Sequence, residues 1–124
     1  MHPDDDASWS ELIGPAYHPE QAAQLLGVEP AQLDAIDGLL CLEQRDGTLA
    51  YPASQFDGRA QLPGVADVVI ALEGAVATAW TTGSWLHTPH DQLDGLTPID
   101  ALRDGQVDRV TGQARRWAAQ LRNA

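Results

Sequence analysis

Residues 81–110 read TTGSWLHTPHDQLDGLTPIDALRDGQVDRV, and the punctuation inside this stretch decides what the second half of the chain is. Thr97-Pro98 is a helix start: a hydroxyl cap, then proline at the first helical position, where its missing N–H costs nothing. Asp100 falls in the first turn, where a carboxylate favours the positive helix end. Gly105 supplies a left-handed C-cap. Leu93-Asp94-Gly95 reads as a turn. The stretch therefore predicts two helices joined by a tight corner, with Trp85, Leu86, Leu93, Ile99 and Leu102 as apolar anchors. Taken singly, each of these residues is ordinary core material at helical spacing. The informative feature is the ordered set Trp85, Leu86, Pro89, Leu93, Gly95, Pro98, Leu102, Gly105 and Val110.

Outward from this corner the helical pattern continues. Gln106 to Leu121 predict a last helix with Val107, Val110, Ala114, Trp117, Ala118 and Leu121 inward. Upstream, Pro63-Gly64 opens a helix whose stripe is Val65, Val68, Val69 and Leu72, ended by Gly74. Ala75 to Leu86 predict another, anchored by Trp80 and Trp85. Residues 59–124 thus read as an all-helical subdomain, with Asp57-Gly58-Arg59 as the loop before it.

Residues 1–58 read differently. A short N-terminal helix carries Trp9, Leu12 and Ile13. His18-Pro19-Glu20 opens a second, through Ala22, Ala23, Leu25 and Leu26, closed by Gly27-Val28. Glu29-Pro30 opens a third, Pro30 to Asp37, with Leu33 and Ile36. Small Ala23 lets two helices approach, Gly27 permits a left-handed turn, and Val28, Leu33 and Ile36 fill the angle between them. Leu39 to Gln44 and Thr48 to Tyr51 flank Arg45-Asp46-Gly47, a strong hairpin cue. The expected fold is mainly α: a helix-turn-helix with a small β-hairpin wing, then the all-helical half.

The ordered Trp, Leu, Pro and Gly positions of residues 81–110 resemble the toxin-binding domain of the Xre/ParS-like antitoxins, which are paired with RES-domain toxins in bacterial operons. The run Tyr51 to Asp57 followed by Leu62-Pro63-Gly64-Val65 is similar to the middle segment of that group. The resemblance covers approximately His18 to Ala119. It implies a protein without catalysis or cofactor that neutralises an NAD-consuming RES toxin by steric occlusion. Its partner-binding residues would be Trp85, Leu86, Pro89, Leu93, Gly95, Pro98, Leu102, Arg109, Arg115 and Arg116, with the arginines engaging carboxylates.

Composition bounds the alternatives. The chain has 124 residues, 44% of them hydrophobic, which fits one compact domain or two small ones sharing a core. No apolar run approaches the ~18 residues needed to span a bilayer, and Met1 to Asp6 lack the positive region of a signal peptide. A cytoplasmic protein that does not engage membranes is expected. A single cysteine, Cys41, excludes an internal disulfide, and its apolar run Leu39 to Leu42 predicts a buried, inert thiol.

Eighteen acidic residues against seven basic ones give a net charge of −11, and every fixed cation is arginine. Affinity for nucleic acid rests largely on neutralising phosphates, so this balance opposes strong DNA binding. The exposed residues of the Pro30–Asp37 helix include none that is basic. Only Gln32 there, and Arg45 at the hairpin tip, suit DNA contact. Packing or homodimerisation is the favoured use of this helix pair. A winged transcriptional regulator of the excisionase or MerR-like kind, binding operator DNA, is the alternative, and an orphan interaction module without a toxin is a third.

His87-Thr88-Pro89-His90-Asp91 has the residue types of a metal site. Pro89 breaks the helical spacing that would bring the imidazoles onto one face, so a polar corner is expected instead. No serine has a nucleophile signature and no Gly-rich phosphate loop occurs. Neither a metal, a cofactor nor a catalytic residue is expected.

Overall fold

A computed structural model describes residues 12–123. The predicted N-terminal helix lies largely outside them; of its apolar face only Leu12 and Ile13 are described, and both are helical. The chain is mainly helical with small antiparallel strands. Strand β1 (Ala16–Tyr17) leads to helix α1 (Pro19–Leu26), a 3-10 turn (Pro30–Ala35), strands β2 (Leu42–Glu43) and β3 (Leu49–Pro52), a second 3-10 turn (Ala53–Gln55) and strands β4 (Phe56–Asp57) and β5 (Ala60–Gln61). Helices α2 (Val65–Leu72), α3 (Ala79–Leu86), α4 (Pro98–Arg103) and α5 (Val107–Arg122) follow, with a 3-10 turn (Asp91–Leu93) between α3 and α4.

The Arg45-Asp46-Gly47 hairpin forms where the Asp-Gly cue places it, with Glu43 paired to Leu49 and Leu42 to Ala50. Asp46 accepts from the Thr48 amide at 3.0 Å and from its hydroxyl at 2.6 Å, which fixes the turn. The single expected hairpin is nevertheless too few strands. β1 pairs with the other edge of β3, making a three-stranded sheet in the order β1-β3-β2. Asp57-Gly58-Arg59, expected as a loop, turns a second hairpin in which Phe56 faces Gln61 and Asp57 faces Ala60. Gly58 has φ +64°, the same left-handed turn chemistry as Asp46-Gly47.

Two helix expectations are also corrected. Pro30 to Asp37 is a 3-10 turn ending at Ala35, because Ile36 is extended and Gly38 turns left-handed at φ +82°. Gly38 lies against the Ala66 backbone so closely that a Cβ would sit 2.7 Å from the Ala66 Cα, which stops the helix there. Helix α3 begins at Ala79 rather than Ala75. The amides of Ala75 and Val76 both donate back to the Leu72 carbonyl, wrapping the end of α2 before Thr78 opens the next helix.

Two apolar clusters hold the described residues together. The smaller gathers Ala22, Ala23, Leu33, Tyr51 and Phe56 under α1 and β3, with Val28 and Ile36 packed against it. The larger is built on the Val65, Val68, Val69 and Leu72 stripe of α2 against Val110, Ala114 and Ala118 of α5. Ile13, Leu40 and Leu42 from the first 58 residues belong to this larger cluster.

Candidate functional site

The corner between α3 and α4 is built as the sequence suggests. Thr97 Oγ1 accepts from the Asp100 amide at 3.1 Å, with Pro98 at the first position of α4. Asp94 and Gly95 both have positive φ, 58° and 82°, and the Gly95 amide donates to the His90 carbonyl at 3.0 Å. Gly105 follows α4 at φ +83°.

This geometry consumes most of the motif. Leu86 and Leu93 are 0% exposed, Leu102 is 3% exposed, and Pro98 is among the fully buried side chains. They hold the corner together, and of them only Leu93 backs onto an open groove. Pro89 and Gly95 are exposed. Trp85 is half-buried, and its ring stacks on Trp117 of α5 with centroids 5.9 Å apart and an angle of 13°. Its other neighbour is the His90 ring at 5.1 Å.

A groove of about 480 Å³ opens at this aromatic pair. Trp85, His90, Gln92 and Leu93 form one wall, and Gln113, Arg116, Trp117 and Gln120 of α5 form the other. Among the described residues no carboxylate lines it. Gln113, Arg116, Trp117 and Gln120 fall at helical spacing, so one face of α5 supplies a whole wall. Among the described residues, the Gln92, Gln113 and Gln120 carboxamides and the Arg116 guanidinium make no hydrogen bond or ion pair. Helical spacing alone marks Trp117 as inward and gives the glutamines no weight; the signal for the groove wall is the Gln113-x-x-Arg116-Trp117-x-x-Gln120 stripe at the edge of the apolar face.

The late arginines divide into different roles. Arg109 pairs with Asp94 at 3.0 Å and donates to the Gln92 carbonyl at 2.7 Å, tying the corner to the start of α5. Arg103 donates to the Ser54 carbonyl at 2.7 Å. Arg122 reaches the Ala71 and Glu73 carbonyls, both at 3.4 Å, at the C-terminal end of α2. Arg115 and Arg116 are exposed neighbours that look onto different surfaces: Arg116 onto the groove, Arg115 onto a hollow beside Asp67 and Ile70.

The histidines bind separate partners. His87 Nδ1 lies 2.7 Å from the Gly83 carbonyl, so that nitrogen donates and Nε2, 2.6 Å from Ser54 Oγ, accepts the hydroxyl proton. Burial lowers the His87 pKa, which suits this neutral tautomer, although the Gly83 carbonyl pulls the other way. His90 Nε2 meets the Trp85 carbonyl at 3.1 Å. Among the described residues no group of three His, Cys, Asp or Glu side chains is placed to hold a metal ion, and no helix is long and apolar enough to cross a membrane. Cys41 is half-buried, and burial raises its pKa, outweighing the hydrogen bond with Tyr51.

In the N-terminal half, Gln32 Oε1 accepts from the Glu29 amide at 2.8 Å, so its side chain is partly spent as a cap. Arg45 is exposed at the hairpin tip. Gln32 and Arg45 share this half of the molecule with exposed Glu29, Asp34 and Asp37.

No family model matches the chain, and no match was found among curated proteins. Among solved structures the chain is similar to the NMR structure of Rv2175c, with 21% identity and a TM-score of 0.71 over 95% of this chain and 84% of that one. At that identity the likeness establishes the fold alone.

Proposed function

We propose that this chain is a non-catalytic, antitoxin-like protein that neutralises a RES-domain toxin by covering the toxin's nucleotide pocket. In this reading residues 1–58 are a winged helix-turn-helix, with α1 and the Pro30–Ala35 turn as the helix pair and the β2–β3 hairpin as the wing. Residues 59–124 are the toxin-binding half. The observation that best supports it is the groove: an aromatic floor with, among the described residues, one unpaired guanidinium and no carboxylate, on a chain of net charge −11. Tryptophan and arginine are the residues most enriched at interface hot spots. Because Leu86, Leu93, Pro98 and Leu102 are core, the binding surface rests on Trp85, Pro89, Arg116 and the α5 face that lines the groove, whereas Arg115 looks onto the hollow beside Asp67.

The test is co-expression with a RES-domain toxin from the same genome. The wild type should restore growth and co-purify with the toxin. Arg115→Glu combined with Arg116→Glu should keep the melting temperature, since exposed charges contribute little, yet lose both. Full neutralisation by the double variant would remove the last helix from the site. A wild type that neither captures nor neutralises the toxin would end the antitoxin reading.

A second reading, operator binding by the winged half, is favoured by one observation: Gly27, at φ 73°, turns α1 into the Pro30–Ala35 segment directly before the hairpin. Its electrostatics are adverse, because Glu29, Asp34 and Asp37 are exposed on that same half. Weak or no binding to generic duplex DNA is expected at physiological salt. A sub-micromolar mobility shift with a steep salt slope would favour this second reading.

A further inference from the structure

We infer that the Trp85–Trp117 groove takes an extended peptide segment carrying an aromatic side chain beside a carboxylate. The inference deepens the toxin-binding reading above and rests on it only for the identity of the protein that brings the segment.

The shape argues for a segment of a larger partner. Sites for free small ligands bury most of the ligand's surface. This groove is open along one side, and Arg116, Gln120 and Gln92 stand exposed at its rim. An occupant would be covered on one face only, which suits a chain whose own protein covers the other.

The lining argues for the chemistry. The stacked Trp85 and Trp117 rings offer an apolar, π-rich floor, and aromatic pairs contribute beyond their buried area. Among the described residues Arg116 is the groove's one fixed charge, and no carboxylate neutralises it. In a chain of net charge −11, a local site of positive sign selects an anion and steers it there. A guanidinium binds a carboxylate with two parallel hydrogen bonds.

The carboxamides argue for backbone. Each offers one acceptor and two donors, the complement of a peptide group. Gln113 and Gln120 are seven residues apart on α5, about 10 Å along the axis at ~1.5 Å per residue. An extended chain covers that distance in about three residues at ~3.3 Å each. The two amides can therefore hold the two ends of a three-residue segment, with the aromatic side chain between them over Trp117 and a flanking carboxylate at Arg116.

The probe is the blocked peptide acetyl-Gly-Asp-Phe-Asp-Gly-amide, which contains no tryptophan, so protein fluorescence reports its binding. A dissociation constant on the order of 100 μM is expected for so short a segment. Replacing phenylalanine by alanine, or both aspartates by lysine, should weaken it about tenfold or more. Arg116→Glu should do the same, while Arg115→Glu, on the other surface, should leave affinity unchanged. No saturable binding at millimolar peptide, equal binding of the lysine peptide, or an equal effect of the two arginine variants would each overturn the proposal. The toxin experiment separates the two readings. Neutralisation without peptide binding removes this groove assignment and leaves the antitoxin reading; peptide binding without toxin capture does the reverse.

Discussion

Gln55 is the buried polar residue on which the junction of the two halves turns. It is 0% exposed. Its Oε1 accepts from the Leu40 amide at 2.8 Å and its Nε2 donates to the Leu40 carbonyl at 2.7 Å, so one carboxamide satisfies both backbone groups of a residue that is itself 1% exposed. Gln61 adds a third bond, donating to Gln55 Oε1 at 3.1 Å. Gln55→Leu would leave the Leu40 N–H and C=O buried without this partner, at about 1–3 kcal/mol each. The larger apolar side chain would return about 2 kcal/mol at most. At the middle of these ranges a net loss of about 2 kcal/mol is expected, a large share of a typical domain stability of about 5–15 kcal/mol. Urea unfolding followed by tryptophan fluorescence should show a lower midpoint with an unchanged slope. Gln55→Glu supplies a second, pH-dependent reading. Protonated, the new carboxyl can donate to the Leu40 carbonyl and accept from its amide; ionised, it cannot donate. Its folded pKa is therefore raised, and its stability deficit relative to the wild type should shrink below the ordinary carboxylate pKa and grow as pH rises. A Gln55→Leu midpoint indistinguishable from the wild type, or a pH-independent deficit for Gln55→Glu, would refute the assignment.

Two further outcomes follow from single residues. Burial holds His87 below its ordinary pKa, so the unfolded chain takes up a proton first as pH falls through about 6.5, and stability is lost from there downward; subtracting the unfolding curve of His87→Gln between pH 7.5 and 5.5 should isolate that loss, and parallel curves would contradict it. Gly38→Ala should destabilise by about 2 kcal/mol or more, because it adds a backbone clash to a left-handed φ, whereas Gly47→Ala, at φ +86° with open space around it, should cost only about 1 kcal/mol. Equal midpoints for the two glycine variants would show that the contact with Ala66 is not tight.

The legible parts of this chain are those whose cause is local. The Arg45-Asp46-Gly47 turn, the Thr97-Pro98 helix start and the α2 and α5 stripes each carry their determinant within a few residues, and each forms where expected. What escaped depends on distant partners. Pro30 to Asp37 has a helical start, but the approach of Gly38 to Ala66, 28 positions on, ends it early. β1 is a two-residue strand that exists only because β3 offers an edge to Ala16 and Tyr17. Gln55 sits between a serine and a phenylalanine with nothing nearby to mark its bond to Leu40. Asp57-Gly58 is the exception: its signal matches Asp46-Gly47, but the flanking strands are too short to show an alternating pattern.

The same distinction governs the late arginines, five of the chain's seven basic residues, which fall in its final quarter. Three of them are occupied by the fold. Arg103 and Arg122 donate to main-chain carbonyls of Ser54, Ala71 and Glu73, and Arg109 to Gln92 and Asp94. A chain without lysine meets such needs with the side chain whose planar fork serves several acceptors at once. Density alone therefore overstates the site. Recognition narrows to Arg116, which among the described residues is unpaired, faces a groove without carboxylates, and shares one helix face with Trp117 and two carboxamides that make no intramolecular hydrogen bond. Arg115 shares its exposure and its charge but none of that setting, which makes the comparison of Arg115→Glu with Arg116→Glu a test of the surroundings with the charge change held constant.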